Sequence, residues 1–128
     1  MSEGFETEGG ESVLDPQAVE TLKELIGDDP EIIRDMVDAF VEDVPDRLAE
    51  ITRGLADGDA ELVRRAAHTL KGNCLTFGAF AFADACRELE ETAKDGGLDA
   101  AGPMVAEIEG TWAAARPAIA ALAAGASS

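Results

Sequence analysis

One long apolar stripe commits this chain to a helical fold. Ile33, Met36, Val37, Phe40, Val44, Leu48, Ile51 and Leu55 recur at intervals of three and four residues. That spacing lines one face of an α-helix for about seven turns. Asp29-Pro30 supplies an N-cap followed by a proline at the first helical position, and Gly58-Asp59 supplies a stop and the next cap. Pro45 falls inside the stripe, yet the apolar residues stay in phase across it. The pattern therefore predicts one long kinked helix, not two short ones.

The same punctuation recurs along the chain. Asp15-Pro16 opens a short helix carrying Val19, Leu22, Leu25 and Ile26, which Gly27 ends. A third helix is expected from about Ala60 to Phe77, ended by Gly78. The fourth starts near Ala79 with Phe82, Cys86, Leu89 and Ala93 as its core stripe, and Gly96-Gly97 closes it. The last is expected from about Ala100 to Leu122, bent by Pro117, with Val105, Ile108, Trp112, Ala115, Ile119 and Leu122 inward. Nothing alternates as a strand would. Short loops between amphipathic helices predict an all-α, antiparallel four-helix bundle with a short additional N-terminal helix. The expected layout is a flexible acidic arm over residues 1–13, the bundle over 14–123 and a disordered tail over 124–128.

Charge narrows the partners. The 128 residues carry a formal net charge of −17, which repels nucleic acid and anionic lipid. No apolar run reaches the roughly 20 residues that cross a bilayer, and the N-terminus has no secretory pattern. Cys74 and Cys86 make no disulfide framework and, with one histidine, too small a set for an ordinary structural zinc site. They read as reduced core thiols, and Trp112 as core. The expectation is a cytoplasmic monomer, with no nucleic acid and no membrane as partner.

The third helix holds the only histidine. With His68 at zero on a helical wheel, Leu62, Val63, Ala66, Leu70, Asn73, Cys74 and Phe77 fall more than about 110° away and form the inward face. Glu61, Arg64, Arg65, Lys71, Gly72 and Leu75 fall within about 60° of it. His68 is thus expected to face solvent among three cations. Leu62 to Ala83 contains no Asp or Glu and carries +3, leaving −20 for the rest of the chain. A positive tile on an acidic protein suits an anionic group on the histidine and docking to an acidic pocket. Gly72 costs its helix about 1 kcal/mol against alanine. One turn beyond His68, its missing side chain would open the approach to the ring.

His68-Thr69-Leu70-Lys71-Gly72-Asn73, then Phe77-Gly78-Ala79, then Cys86-Arg87-Glu88-Leu89-Glu90 resembles the histidine-containing phosphotransfer (HPt) domain. The motif spans Ala67 to Glu90, and the helical pattern fits from Asp15 to Leu122. Asn73 stands where the family commonly has a small residue. Glu90 stands where many members carry glutamine, although phosphotransfer domains of chemotaxis kinases carry glutamate there.

The resemblance implies a phosphorelay intermediate. His68 would accept a phosphoryl group from the aspartyl-phosphate of one response-regulator receiver domain and pass it to an aspartate of another, downstream of a hybrid histidine kinase. Lys71 would lie near the phosphoryl oxygens and Gly72 would give access. Glu90, about 80° from Phe82 on its own wheel, can reach toward the third helix. It is expected to hold Nδ1 of His68 and leave Nε2 as acceptor. Arg64, Arg65 and Leu75 would belong to the docking face. The chain has no phosphate-cradling glycine loop and no Walker-type lysine. It is expected to be a carrier without its own ATP site, with no intrinsic cofactor and with Mg²⁺ supplied by the receiver. The same motif would suit a phosphotransfer segment excised from a larger hybrid or chemotaxis-type kinase, or a receiver-binding adaptor that is never phosphorylated.

Overall fold

The computed structural model describes residues 14–126, with side chains through residue 123. The expected arm over residues 1–13 lies outside the described residues. Among the described residues five α-helices follow in order: α1 Pro16–Leu25, α2 Pro30–Asp57, α3 Ala60–Thr76, α4 Phe80–Lys94 and α5 Gly102–Ala126, with a 3₁₀ turn Leu98–Ala100 before the last. No strand occurs among the described residues.

The starts follow the chemistry of the caps. Asp15 accepts a hydrogen bond from the Ala18 amide at 2.9 Å, Asp29 from Glu31 at 2.9 Å and Asp59 from Leu62 at 3.1 Å. Each pairs an amide that a helix start would otherwise leave unmet, an effect of about 1 kcal/mol. Gly58 ends α2 in the left-handed region at φ 69°, where a Cβ would be strained. Pro45 is exposed and α2 runs unbroken through it, at the loss of one backbone hydrogen bond.

α2, α3, α4 and α5 close a ring, each packed on the next. Their inner faces meet in one core that includes Val44, Ile51, Val63, Leu70, Cys74, Phe82, Cys86, Leu89, Ile108 and Ile119, all fully buried. Phe40 sits between three aromatic partners at one level. Its ring centroid lies 5.3 Å from Phe77, 6.4 Å from Phe82 and 5.5 Å edge-on from Trp112.

Three local expectations need correction. Leu25 is 78% exposed. α1 packs mainly along one side of α3, and Leu22 is its one buried residue, instead of a full stripe. Ala67 is fully buried although the wheel left it outside the inward face, while Leu62 and Asn73 are only half-buried. α3 is clasped by both α2 and α4, which widens and turns its buried arc. At the C-terminus the helix continues to Ala126, beyond the end expected at about Leu122. Its closing stretch is mostly alanine, the best helix former, with no proline to stop it.

Two tight contacts set the position of α3. Gly54 of α2 has no room for a side chain, since a Cβ would fall 2.6 Å from Val63 Cγ2 and 3.1 Å from the Asp59 carbonyl oxygen. Gly54→Ala is therefore expected to lower stability by about 1–3 kcal/mol despite alanine's better helix propensity, as chemical denaturation will show. At the other end, Gly78 adopts φ 72°, and a Cβ there would lie 2.8 Å from Ala18 Cβ. Its carbonyl accepts the Asp15 amide at 2.8 Å. The Phe77-Gly78-Ala79 turn thus anchors α1 and fixes α4 against α3, the two helices that carry the candidate site.

Candidate functional site

The double clasp on α3 leaves a narrow solvent strip along it. Glu61, Arg65, His68, Thr69, Gly72, Leu75 and Thr76 are the exposed residues of this helix, and the His68 side chain is 62% exposed at its middle. Ala66 and Ala67 beneath it are buried.

From α4, Glu90 reaches across to this strip. Its Oε2 lies 2.8 Å from His68 Nδ1, and its Oε1 lies 2.8 Å from Lys71 Nζ. The Glu90 side chain is only 15% exposed, which works against its charge. The Lys71 ammonium and the His68 ring outweigh that burial and hold the carboxyl below its usual value of 4.5. An ionised carboxylate can only accept. Nδ1 must therefore carry the proton it donates to Glu90, and in the neutral ring the lone pair then sits on Nε2. The sign of the linkage follows. Glu90 stabilises the fold above pH 4.5, and that contribution is lost as pH falls through its lower folded value.

Gly72 sits on the exposed strip, and a Cβ there would meet nothing within 4 Å. The chain's own packing does not require a glycine at this position. Leu75 is 49% exposed farther along the same helix, and Phe80, at the start of α4, is 45% exposed.

The positive tile is less bare than its sequence suggests. Glu61 grips Arg64 with two contacts, Oε1 to Nε at 3.1 Å and Oε2 to Nη2 at 2.6 Å. Its Oε2 also stands 3.9 Å from Arg65 Nε. Lys71 is engaged by Glu90. All three cations thus face a carboxylate, because the acid-free window begins one residue after Glu61 and takes no account of α4. Glu61 is the residue whose part sequence reasoning missed. Its signal was present, since carboxylates three and four residues from a cation on a helix face are neighbours.

The structure thus brings His68, Lys71 and Glu90 into direct contact, with Arg64 held beside them and Arg65, Gly72 and Leu75 along the same strip. Cys74 and Cys86 lie apart from this surface, fully buried in the core. The hydrogen-bonding contact with Cys86, together with burial, pushes the Cys74 thiol far up, which leaves it inert. Among the described residues no group of three or more His, Cys, Asp or Glu side chains is placed to hold a metal ion. No described helix is long and apolar enough to cross a membrane.

The family model for the Hpt domain matches residues 35–124. No curated protein sequence matches significantly. Among solved structures, the chain is similar to the crystal structure of histidine-containing phosphotransfer protein B (HptB) from Pseudomonas aeruginosa PAO1. The two are 32% identical, the match covers 88% of this chain and 96% of that one, and the TM-score is 0.78.

Proposed function

Since the chain belongs to the Hpt domain family, we propose that His68 is its phosphoryl-carrying residue, charged by one receiver aspartyl-phosphate and discharged to another receiver aspartate. Hpt domains are phosphotransfer carriers of two-component signalling that work with receiver domains and histidine kinases, without an ATP site of their own. The observation that supports His68 most directly is its ring. It is the only histidine, it is exposed in mid-helix, and its Nδ1 is held 2.8 Å from an ionised carboxylate.

The chemistry follows from that tautomer. The Nε2 lone pair attacks phosphorus, the Nε2–P bond forms, and the P–O bond to the receiver carboxylate breaks with its electron pair returning to that carboxylate. The ring gains positive charge, which it shares with Glu90 through the Nδ1 proton. Lys71 lies one turn away to meet the phosphoryl oxygens. Phosphoryl transfer rests mainly on positioning and charge stabilisation. This chain supplies the positioned nitrogen, and we assign the Mg²⁺ and the acidic pocket to the receiver. Gly72 leaves room for that pocket to close over the ring, while Arg65 and Leu75 lie on the docking face.

Incubation with a phosphorylated receiver domain and Mg²⁺ tests this reading. Wild-type protein should become labelled with loss of label from the receiver, and His68→Gln should not. Label that never reaches wild type, or that reaches both equally, contradicts it. Glu90→Gln should relax the tautomer preference, seen as mixed ¹⁵N imidazole signals, and slow transfer by about 10-fold, the scale on which an orienting partner acts. An unchanged transfer rate removes Glu90 from the mechanism.

A further inference from the structure

We propose that Arg64 is a second phosphoryl-binding residue, which Glu61 holds in reserve until His68 is charged. The inference rests on the reading of His68 given above. Side chains on an α-helix lean toward its N-terminus, so the His68 ring covers the turn that carries Arg64 and Arg65. The two sides of the ring are therefore unequal. On the C-terminal side stand Gly72, with open space around it, and Lys71, tied to Glu90. On the N-terminal side the chain provides its own guanidinium four residues away, half-buried along the helix and fastened to Glu61 at 2.6 and 3.1 Å.

The field around Arg64 agrees with that placement. Glu61 dominates it, and Glu90, the carboxylate that holds the His68 ring, also contributes. Arg64 thus feels the histidine site while bound elsewhere. The Glu61 contact lies at the surface, with the Glu61 side chain 59% exposed, and such pairs are weak. A phosphoryl group on Nε2 brings nearly two negative charges and three acceptor oxygens, a better match for the planar guanidinium fork than one exposed carboxylate. A rotation of the Arg64 side chain exchanges the one anion for the other without moving the backbone. Glu61 then remains to hold Arg65, which already lies 3.9 Å from the same oxygen.

The intact protein charged with potassium phosphoramidate, in the absence of any receiver, provides the test. In that reaction Nε2 attacks phosphorus, the P–N bond of H₃N⁺–PO₃²⁻ breaks, ammonia leaves with its own protons, and the ring keeps its Nδ1 proton. Two signals are then read by NMR: the ³¹P titration of the phosphohistidine, and the Nε–H resonance of Arg64 before and after charging. On charging, the Arg64 resonance should move. Arg64→Ala should raise the apparent pKa of the phosphoryl group by about half a unit, the scale of one exposed charge contact. Glu61→Gln should lower it, and by clearly more in the presence of Arg64 than in the Arg64→Ala background. A phosphoryl titration that is the same in Arg64→Ala as in wild type, with an Arg64 resonance unmoved by charging, overturns the proposal. So does a Glu61→Gln effect of equal size in both backgrounds. If those null results accompany normal exchange with receivers, only the role of Arg64 falls. If the Arg64 effects appear but no receiver exchanges phosphoryl groups with His68, the relay reading falls and the Arg64 site stands. Failure of phosphoramidate to label His68 removes both.

Discussion

Gly72→Phe is expected to leave the fold at least as stable as wild type and to cut receiver-dependent transfer by about 100-fold or more. The two halves have separate causes. Within the chain a Cβ at position 72 meets nothing within 4 Å, and the position is exposed, so a larger side chain can extend into solvent. Replacing a mid-helix glycine also recovers several tenths of a kcal/mol of helix propensity. For the docked complex the sign reverses. A benzyl group one turn from His68, on the same exposed strip, occupies the space the receiver needs to bring its carboxylate in line with Nε2. A displacement of about 1 Å from in-line geometry is enough to cost about 100-fold. Gly72→Ala is the graded control, with a gain near 1 kcal/mol and a much smaller loss of rate. Thermal unfolding and single-turnover transfer, measured on the same samples, read both halves. A Gly72→Phe protein that transfers at the wild-type rate shows that Gly72 does not guard the approach to the ring.

Phe82→Ala is expected to cost about 3–5 kcal/mol and to lower Tm by about 10–20 °C. Phe82 is 1% exposed and lies between Phe40 and Trp112, with ring centroids 6.4 and 5.5 Å away. Truncation leaves a cavity among rigid rings that cannot collapse to fill it. The loss is a large share of the 5–15 kcal/mol that holds a typical domain together. It also bears on the site, because Phe82, Cys86 and Leu89 form the stripe that seats α4 and so place Glu90 against His68. The His68 tautomer preference should therefore weaken along with stability. A loss below about 1 kcal/mol means that this cluster does not hold α4.

Much of this was legible from residue order, and the exceptions have physical reasons. The Asp-Pro starts, the glycine stops and the phase of Ile33 to Leu55 are local signals, and local structure obeys them. His68 faces solvent because that follows from its phase against Val63, Leu70 and Cys74 on one helix. What depends on neighbouring helices was harder to read. Ala67 is buried because α3 is gripped from two sides, and Leu25 is exposed because α1 packs along one narrow face. Both depend on how many partners a helix has, which its own periodicity does not encode. The cations beside His68 were counted along the chain, where no acid intervenes. In space Glu61 and Glu90 stand against them, one just outside the counted window and the other on a different helix.

The carriage of a phosphoryl group on Nε2 of His68 is the central claim, and the single histidine makes it directly measurable. Protein labelled with ¹⁵N-histidine gives the resonances of one ring. After incubation with a phosphorylated receiver and Mg²⁺, a ¹⁵N–³¹P coupling should appear on Nε2, with Nδ1 remaining protonated. A coupling on Nδ1, or a receiver that loses its phosphoryl group while the ring shows no coupling at all, would contradict it.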